Sequence, residues 1–133
     1  MSKILQHKHL IFRIETHNPP KDTKFITQWM IDLIHKLGMN VLFDPHVEYL
    51  DVKGNRGATG VCILAQSHCS LHVWDEPDPG LLEFDIYTCG SMELQEVVDA
   101  LMVFEPTKME YKFLDREHNL KLISEGFINI QHK

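Results

Sequence analysis

A chain of 133 residues, 44% hydrophobic and 24% charged, has the make-up of a single soluble globular domain and is too short for two independent cores. Its formal net charge of −6, with Lys and Arg scattered along it, argues against nucleic acid or an anionic membrane surface as partner. No apolar run approaches the roughly 20 residues of a membrane-spanning helix, residues 1–9 lack the apolar stretch of a secretory signal, and the odd, low cysteine count (Cys62, Cys69, Cys89) argues against a disulfide framework and for a reducing, cytoplasmic setting.

Residues 10–16 alternate as a short strand, closed by the Asn18-Pro19-Pro20 break. Phe25, Trp29, Leu33 and Leu37 then recur every four residues, with Ile26, Met30 and Ile34 beside them, so the spacing predicts a helix over 23–37. Asp22 suits its N-cap and Gly38 the position just past its end. Residues 40–43 and 47–52 read as two strands around an Asp44-Pro45 turn, 53–57 as a loop and 58–65 as a β-rich run. Residues 67–74 and 84–88 read as a hairpin around the loop 77–80, because apolar residues alternate with small polar ones. Ser91 is expected to cap a second helix reaching residue 104, with Leu94, Val97, Val98 and Leu101 on its buried face. Met109, Tyr111 and Phe113 alternate as a further strand, and the tail from residue 119 carries the weakest signal. The order predicts one α+β domain over 1–133, a two-layer sandwich with both helices on one face of a mostly antiparallel sheet.

Chemistry-bearing side chains are dense between Gln66 and Gly90 and sparse elsewhere. Ser67, His72 and Cys89 have the makings of a nucleophile, a base and an acid, although each taken singly is an ordinary strand residue. A zinc site built from His68, Cys69, His72 and Cys89 fails on spacing. His68 and His72 share a strand face but lie about 13 Å apart, against metal–ligand distances of about 2 Å. No metal is therefore expected. A Cys-His protease lacks any indication of an oxyanion hole.

The run Ser67-His68-x-Ser70-x-His72-x-Trp74-x-Glu76, followed after a short loop by Asp85-Ile86-Tyr87-Thr88-Cys89-Gly90, resembles the small bacterial and archaeal type of S-adenosylmethionine decarboxylase proenzyme. The likeness covers most of the chain and is most specific over residues 59–90. It implies the corresponding fold and a small-molecule decarboxylase that serves polyamine (spermidine) synthesis. It also implies a covalent pyruvoyl cofactor made from Ser67 by self-cleavage between Gln66 and Ser67, which leaves residues 1–66 and 67–133. By the same resemblance His72 is the base in processing, Thr59 supplies the assisting hydroxyl, Cys89 donates the proton in turnover, and Glu76 contacts the substrate. The pyruvoyl carbonyl forms a Schiff base with the substrate's amino group and serves as the electron sink.

Geometry adds a homodimer. In one extended strand Ser67 and His72 lie about 16 Å apart on opposite faces, and a continuous strand puts Thr59 about 26 Å from Ser67. A two-fold pair in which Ser67 and Cys89 of one chain meet Thr59, His72 and Glu76 of the other removes the conflict, and the family's composite sites have this form.

The chain departs from the family pattern at Gln66 (usually glutamate), Asp75 (usually proline), Thr59 (a serine) and Lys53, which falls about where an aromatic residue stacks on adenine. Tyr49 or Trp74 offers a ring in its place. Lys53, with the acidic Asp75, Glu76 and Asp78, raises the alternative of a pyruvoyl-dependent decarboxylase of ornithine or arginine. Gln66 raises that of an unprocessed binding or regulatory relative.

Overall fold

The computed structural model describes residues 6–130; the first five of the residues read for a secretory signal lie outside them, as do 131–133. Among the described residues, seven strands form one antiparallel sheet: β1 Lys8–Thr16, β2 Val41–Leu50, β3 Gly57–Leu64, β4 Ser67–Trp74, β5 Gly80–Thr88, β6 Pro106–Asp115 and β7 Leu122–Asn129. Their order is β2-β3-β4-β5-β1-β6-β7, which places the first strand between β5 and β6. Helices α1 (Thr23–Lys36) and α2 (Leu94–Leu101) cover one face, and a 3₁₀ turn over Met102–Phe104 follows α2. The predicted two-layer α+β sandwich is the observed architecture.

Period-two burial decides which face the helices take. Leu10, Phe12 and Ile14 of β1, Cys69, Leu71 and Val73 of β4, and Leu82, Phe84 and Ile86 of β5 all point to the helix layer and are buried. They meet Ile26, Trp29, Met30, Leu33 and Ile34 of α1 and Val97 and Leu101 of α2. Trp29 packs edge-on to Phe84 with ring centroids 5.2 Å apart, and its Nε1–H donates to the Ala100 carbonyl at 2.9 Å. At the start of α1, Asp22 accepts from the amides of Lys24 and Phe25. At its end Gly38, with φ of 75°, allows Met39 N–H to reach Ile34 O and its own N–H to reach His35 O, each at 3.0 Å. This is a Schellman closure that a side chain would strain.

Four local expectations are corrected. Asp44-Pro45 is not a turn between two strands but a bulge within β2, where the register shifts between Phe43 and His46; a sheet-edge strand tolerates proline there. Ser91 stays exposed and caps nothing. Met92 is drawn into the core, so α2 starts only after Glu93, which makes no side-chain cap bond. Phe25 lies 45% exposed at the margin of the helix face, edge-on to Phe104. β5 begins at Gly80, earlier than expected, because Gly80 pairs with Thr16 of β1. The weakly patterned tail forms β7, an edge strand on β6 with much of both faces exposed.

Candidate active site

β3 and β4 form a hairpin whose turn residues are Ala65 and Gln66, with Leu64 opposite Ser67. Gln66 holds φ of 58°, the left-handed region that costs a side-chain-bearing residue roughly 1–2 kcal/mol. Ser67 therefore opens β4 directly behind a strained residue. Its side chain points to the helix side and is 9% exposed, and its Oγ accepts from the Cys89 amide at 3.0 Å. The Cys89 thiol lies 3.7 Å from the Ala65 carbonyl. Gln66, Ser67 and Cys89 thus meet at one end of the sheet.

Thr59 and His72 form a second group. They are partners on one rung of β3 and β4 and share a 2.5 Å hydrogen bond between Thr59 Oγ1 and His72 Nδ1. Both stand on the open face, away from the helices. They line a cleft of about 540 Å³ with Trp74, Asn55 and Leu50. The Trp74 ring centroid is 6.2 Å from that of His72, and Trp74 Nε1–H donates to Asn55 Oδ1 at 2.8 Å. Gly57 makes the wall possible, since a Cβ on it would fall 1.6 Å from the Val73 carbonyl oxygen.

Glu76 braces the same wall. Its carboxylate accepts from Gly54 N–H at 3.1 Å, from Arg56 N–H at 3.0 Å and from Arg56 Nη1 at 3.1 Å. The amide of Arg56, then that of Gly54, hold this carboxyl below its ordinary range. Lys53 stands exposed on the loop and does not line the cleft. Tyr49 pairs with Ala58, whose side chain takes the helix face, and its hydroxyl donates to Asp75 at 2.7 Å. Tyr49 also lines the cleft, and the ring against His72 is that of Trp74.

Ser67 and the Thr59–His72 pair occupy opposite faces and are five rungs apart, about 17 Å at strand rise. The continuous strand assumed from sequence is replaced by the hairpin turn, which shortens the 26 Å separation without closing it. Within one chain the structure joins Ser67 to Cys89 and Thr59 to His72 and Trp74, and it does not join the two groups.

A third cluster escaped the sequence. On the open face Asp85 of β5 accepts from the Ser70 hydroxyl through Oδ1, and its Oδ2 lies 2.7 Å from His9 Nε2 and 3.8 Å from His68 Nε2. Burial pushes the Asp85 carboxyl up, but the hydrogen bonds from His9 and Ser70 outweigh it and hold the group below its ordinary value. Strand alternation puts His68 and Ser70 on one face, but it cannot show which residues of β1 and β5 stand opposite them.

Comparison with solved structures places the fold in a known class. It superimposes on the adenosylmethionine decarboxylase of Aquifex aeolicus with a TM-score of 0.67 at 21% identity, covering 86% of this chain and 92% of that one. The sequence family follows. The family model for S-adenosylmethionine decarboxylase matches residues 8–117, and the chain belongs to that family. Similar relatives are the S-adenosylmethionine decarboxylase proenzymes of Picrophilus torridus and Archaeoglobus fulgidus. The first is 39% identical over 67 residues, 49% of this chain and 50% of the relative. The second is 36% identical over 76 residues, 56% of this chain and 57% of the relative. The matched stretch thus spans about half the length of each of these relatives.

Proposed function

We infer that this protein is a self-processing S-adenosylmethionine decarboxylase that releases CO₂ and decarboxylated S-adenosylmethionine for polyamine synthesis, and that it works as a cytoplasmic homodimer. One observation carries the reading: a buried serine follows a strained left-handed residue, with an amide donor on its Oγ and a thiol alongside. A serine placed so can attack the carbonyl carbon before it. Ser67 Oγ bonds to the Gln66 carbonyl carbon as the bond from that carbon to Ser67 N breaks. Loss of the Ser67 Cα proton then breaks Cβ–Oγ, so Oγ departs within the new Gln66 carboxylate. Water finally replaces the Ser67 nitrogen, which leaves as ammonia, and the fragments are 1–66 and 67–133. The pyruvoyl carbonyl so formed supplies the sink for the electron pair left when the substrate's carboxylate departs. The fit of these residues to that group rests on Cys89, which stands beside position 67 and can return a proton there.

The separation of the two groups supports composite sites. Ser67 and Cys89 need a base that their own chain keeps on the other face, and Thr59 and His72 of a second copy supply it. Within the composite site we assign His72 as processing base, Thr59 as its hydroxyl partner, Trp74 as the ring for adenine and Glu76 as the brace of the substrate wall. The three carboxylates that suggested a basic amino acid as substrate all have partners: Asp75 with Tyr49, Glu76 with Arg56 and Asp78 with His17. No specific observation favours that second reading. Among the described residues no helix is long and apolar enough to cross a membrane.

Two measurements test this. The intact mass of the denatured protein should show two fragments divided after Gln66, and S-adenosylmethionine, but neither ornithine nor arginine, should release CO₂. Co-expressing Ser67→Ala with His72→Ala should restore cleavage of the His72→Ala chains, because one hybrid site keeps both residues. A single uncut chain sinks the enzyme, and failure of the hybrids to cleave sinks the composite site.

A further inference from the structure

The inference that follows rests on reading Ser67 as the point where the chain cuts itself. In the uncut chain residue 67 is held by the turn through Gln66, by its rung with Leu64 and by the Cys89 amide on its Oγ. The cut removes the turn. The chemistry removes the third hold, because Oγ leaves with the Gln66 carboxylate. On the β5 side the ladder starts only at His68, opposite Tyr87, so position 67 has no rung there. The rung with Leu64 loses the Ser67 amide, whose nitrogen leaves as ammonia. The reactive group then hangs from the peptide bond to His68, beside a strand β3 that has gained a free end of its own. Chain ends beside a break fray unless something ties them down.

The open face next to residue 67 carries such a tie. Arg116 Nη1 faces His9 Nδ1 at 3.4 Å, with its guanidinium carbon 4.1 Å from the Tyr87 ring centre, and its backbone N–H donates to His7 O at 2.7 Å. Arginine has only donors, so it selects the His9 tautomer with the lone pair on Nδ1 and the proton on Nε2. That proton is donated to Asp85 Oδ2 at 2.7 Å, and Asp85 Oδ1 accepts from Ser70. The same tautomer opposes a divalent cation on His9, His68 and Asp85, since a metal needs the lone pair of Nε2. His68 completes the group, its ring edge-on to His9 with centroids 6.0 Å apart.

We propose that the chain Arg116–His9–Asp85 is a positioning device that clamps Ser70 and His68, the first rungs of β4, so that the group made at position 67 keeps its place once the chain is cut. The uncut protein has little need of it, because the turn through Gln66 and the rung with Leu64 already hold residue 67, with or without its Oγ. The device acts through the strand and touches no reacting atom.

Amide hydrogen exchange of residues 68–70 tests this without substrate, in the cut protein and in the uncut Ser67→Ala background. His9→Phe keeps a ring but loses the donor, and Ser70→Ala is a second, milder variant. Either should raise exchange at 68–70 about tenfold in cut protein and much less in the uncut background. In the same cut samples kcat should fall while KM changes little, and His9→Gln, which keeps a donor near Nε2, should recover part of both losses. Equal loosening in both backgrounds, or none in the cut protein, refutes the clamp and leaves the reading of Ser67 standing. A wild-type chain that stays uncut refutes that reading, and the clamp falls with it.

Discussion

Replacing Gln66 by glycine changes the backbone at the bond to be cut and little else. At φ of 58° a residue with a Cβ costs roughly 1–2 kcal/mol, and glycine removes that cost. Glycine in turn loses about 0.5–1 kcal/mol more backbone entropy on folding, so the uncut chain should gain about 0.5–1 kcal/mol. If the first bond change opens the turn and releases its strain, the barrier rises by the same amount and cleavage slows roughly two- to five-fold. The rate is read from the two fragments appearing with time on a denaturing gel. The stability gain is read separately by thermal melting of Gln66→Gly in the Ser67→Ala background, where one chain persists. Gln66→Glu keeps the Cβ, and because the step uses the backbone carbonyl it should cleave at close to the wild-type rate. If Gln66→Gly melts higher yet cleaves as fast as wild type, the strain is real but plays no part in processing. If it does not melt higher, the strain itself is refuted.

Thr59→Val deletes the hydroxyl bonded to His72 and should slow cleavage about tenfold, a loss that Thr59→Ser restores; unchanged cleavage kinetics would remove Thr59 from the processing apparatus. Asp85 titrates below its unfolded-state value, so its contribution is complete above the ordinary carboxylate pKa of about 4 and drains away as pH falls through the lower native value. In the Ser67→Ala background Asp85→Asn should therefore be less stable at neutral pH and lose less stability than its parent between about pH 5 and 2, measured as melting temperature against pH. Phe84, 1% exposed between Phe12 and Trp29, should cost about 3–5 kcal/mol on truncation to alanine and lower the melting temperature by roughly 10–20 °C in the same background.

What could be read from the sequence follows from the range of each interaction. Helix α1 is written in the four-residue recurrence of Trp29 and Leu33, and its caps in Asp22 and Gly38, because all of these act within a turn or two of the chain. Ser67, His72 and Cys89 were legible through their spacing in a motif. That Thr59 and His72 share a rung depends on a hairpin turn at Ala65-Gln66, whose residues are not usual turn formers. The Asp44-Pro45 bulge looked like a turn because composition does not reveal that β2 lies at the sheet edge. His9 and Asp85 are 76 residues apart, and only the pairing of β1 with β5 brings them together.

The strand order bears on what happens to the two pieces after a cut at residue 66. The 1–66 piece supplies β1, α1, β2 and β3, and the 67–133 piece supplies the rest. β1 is slotted between β5 and β6, both belonging to the other piece, and is bonded to each along its length. The pieces are therefore interleaved like shuffled cards, and parting them means tearing two ladders on β1 and a third between β3 and β4. A severed backbone costs such a molecule little cohesion. It would also put any such cut last: the sheet would have to be finished first, because a 67–133 fragment lacking β1 has a gap at the middle of its sheet and exposes two facing strand edges to any passing chain.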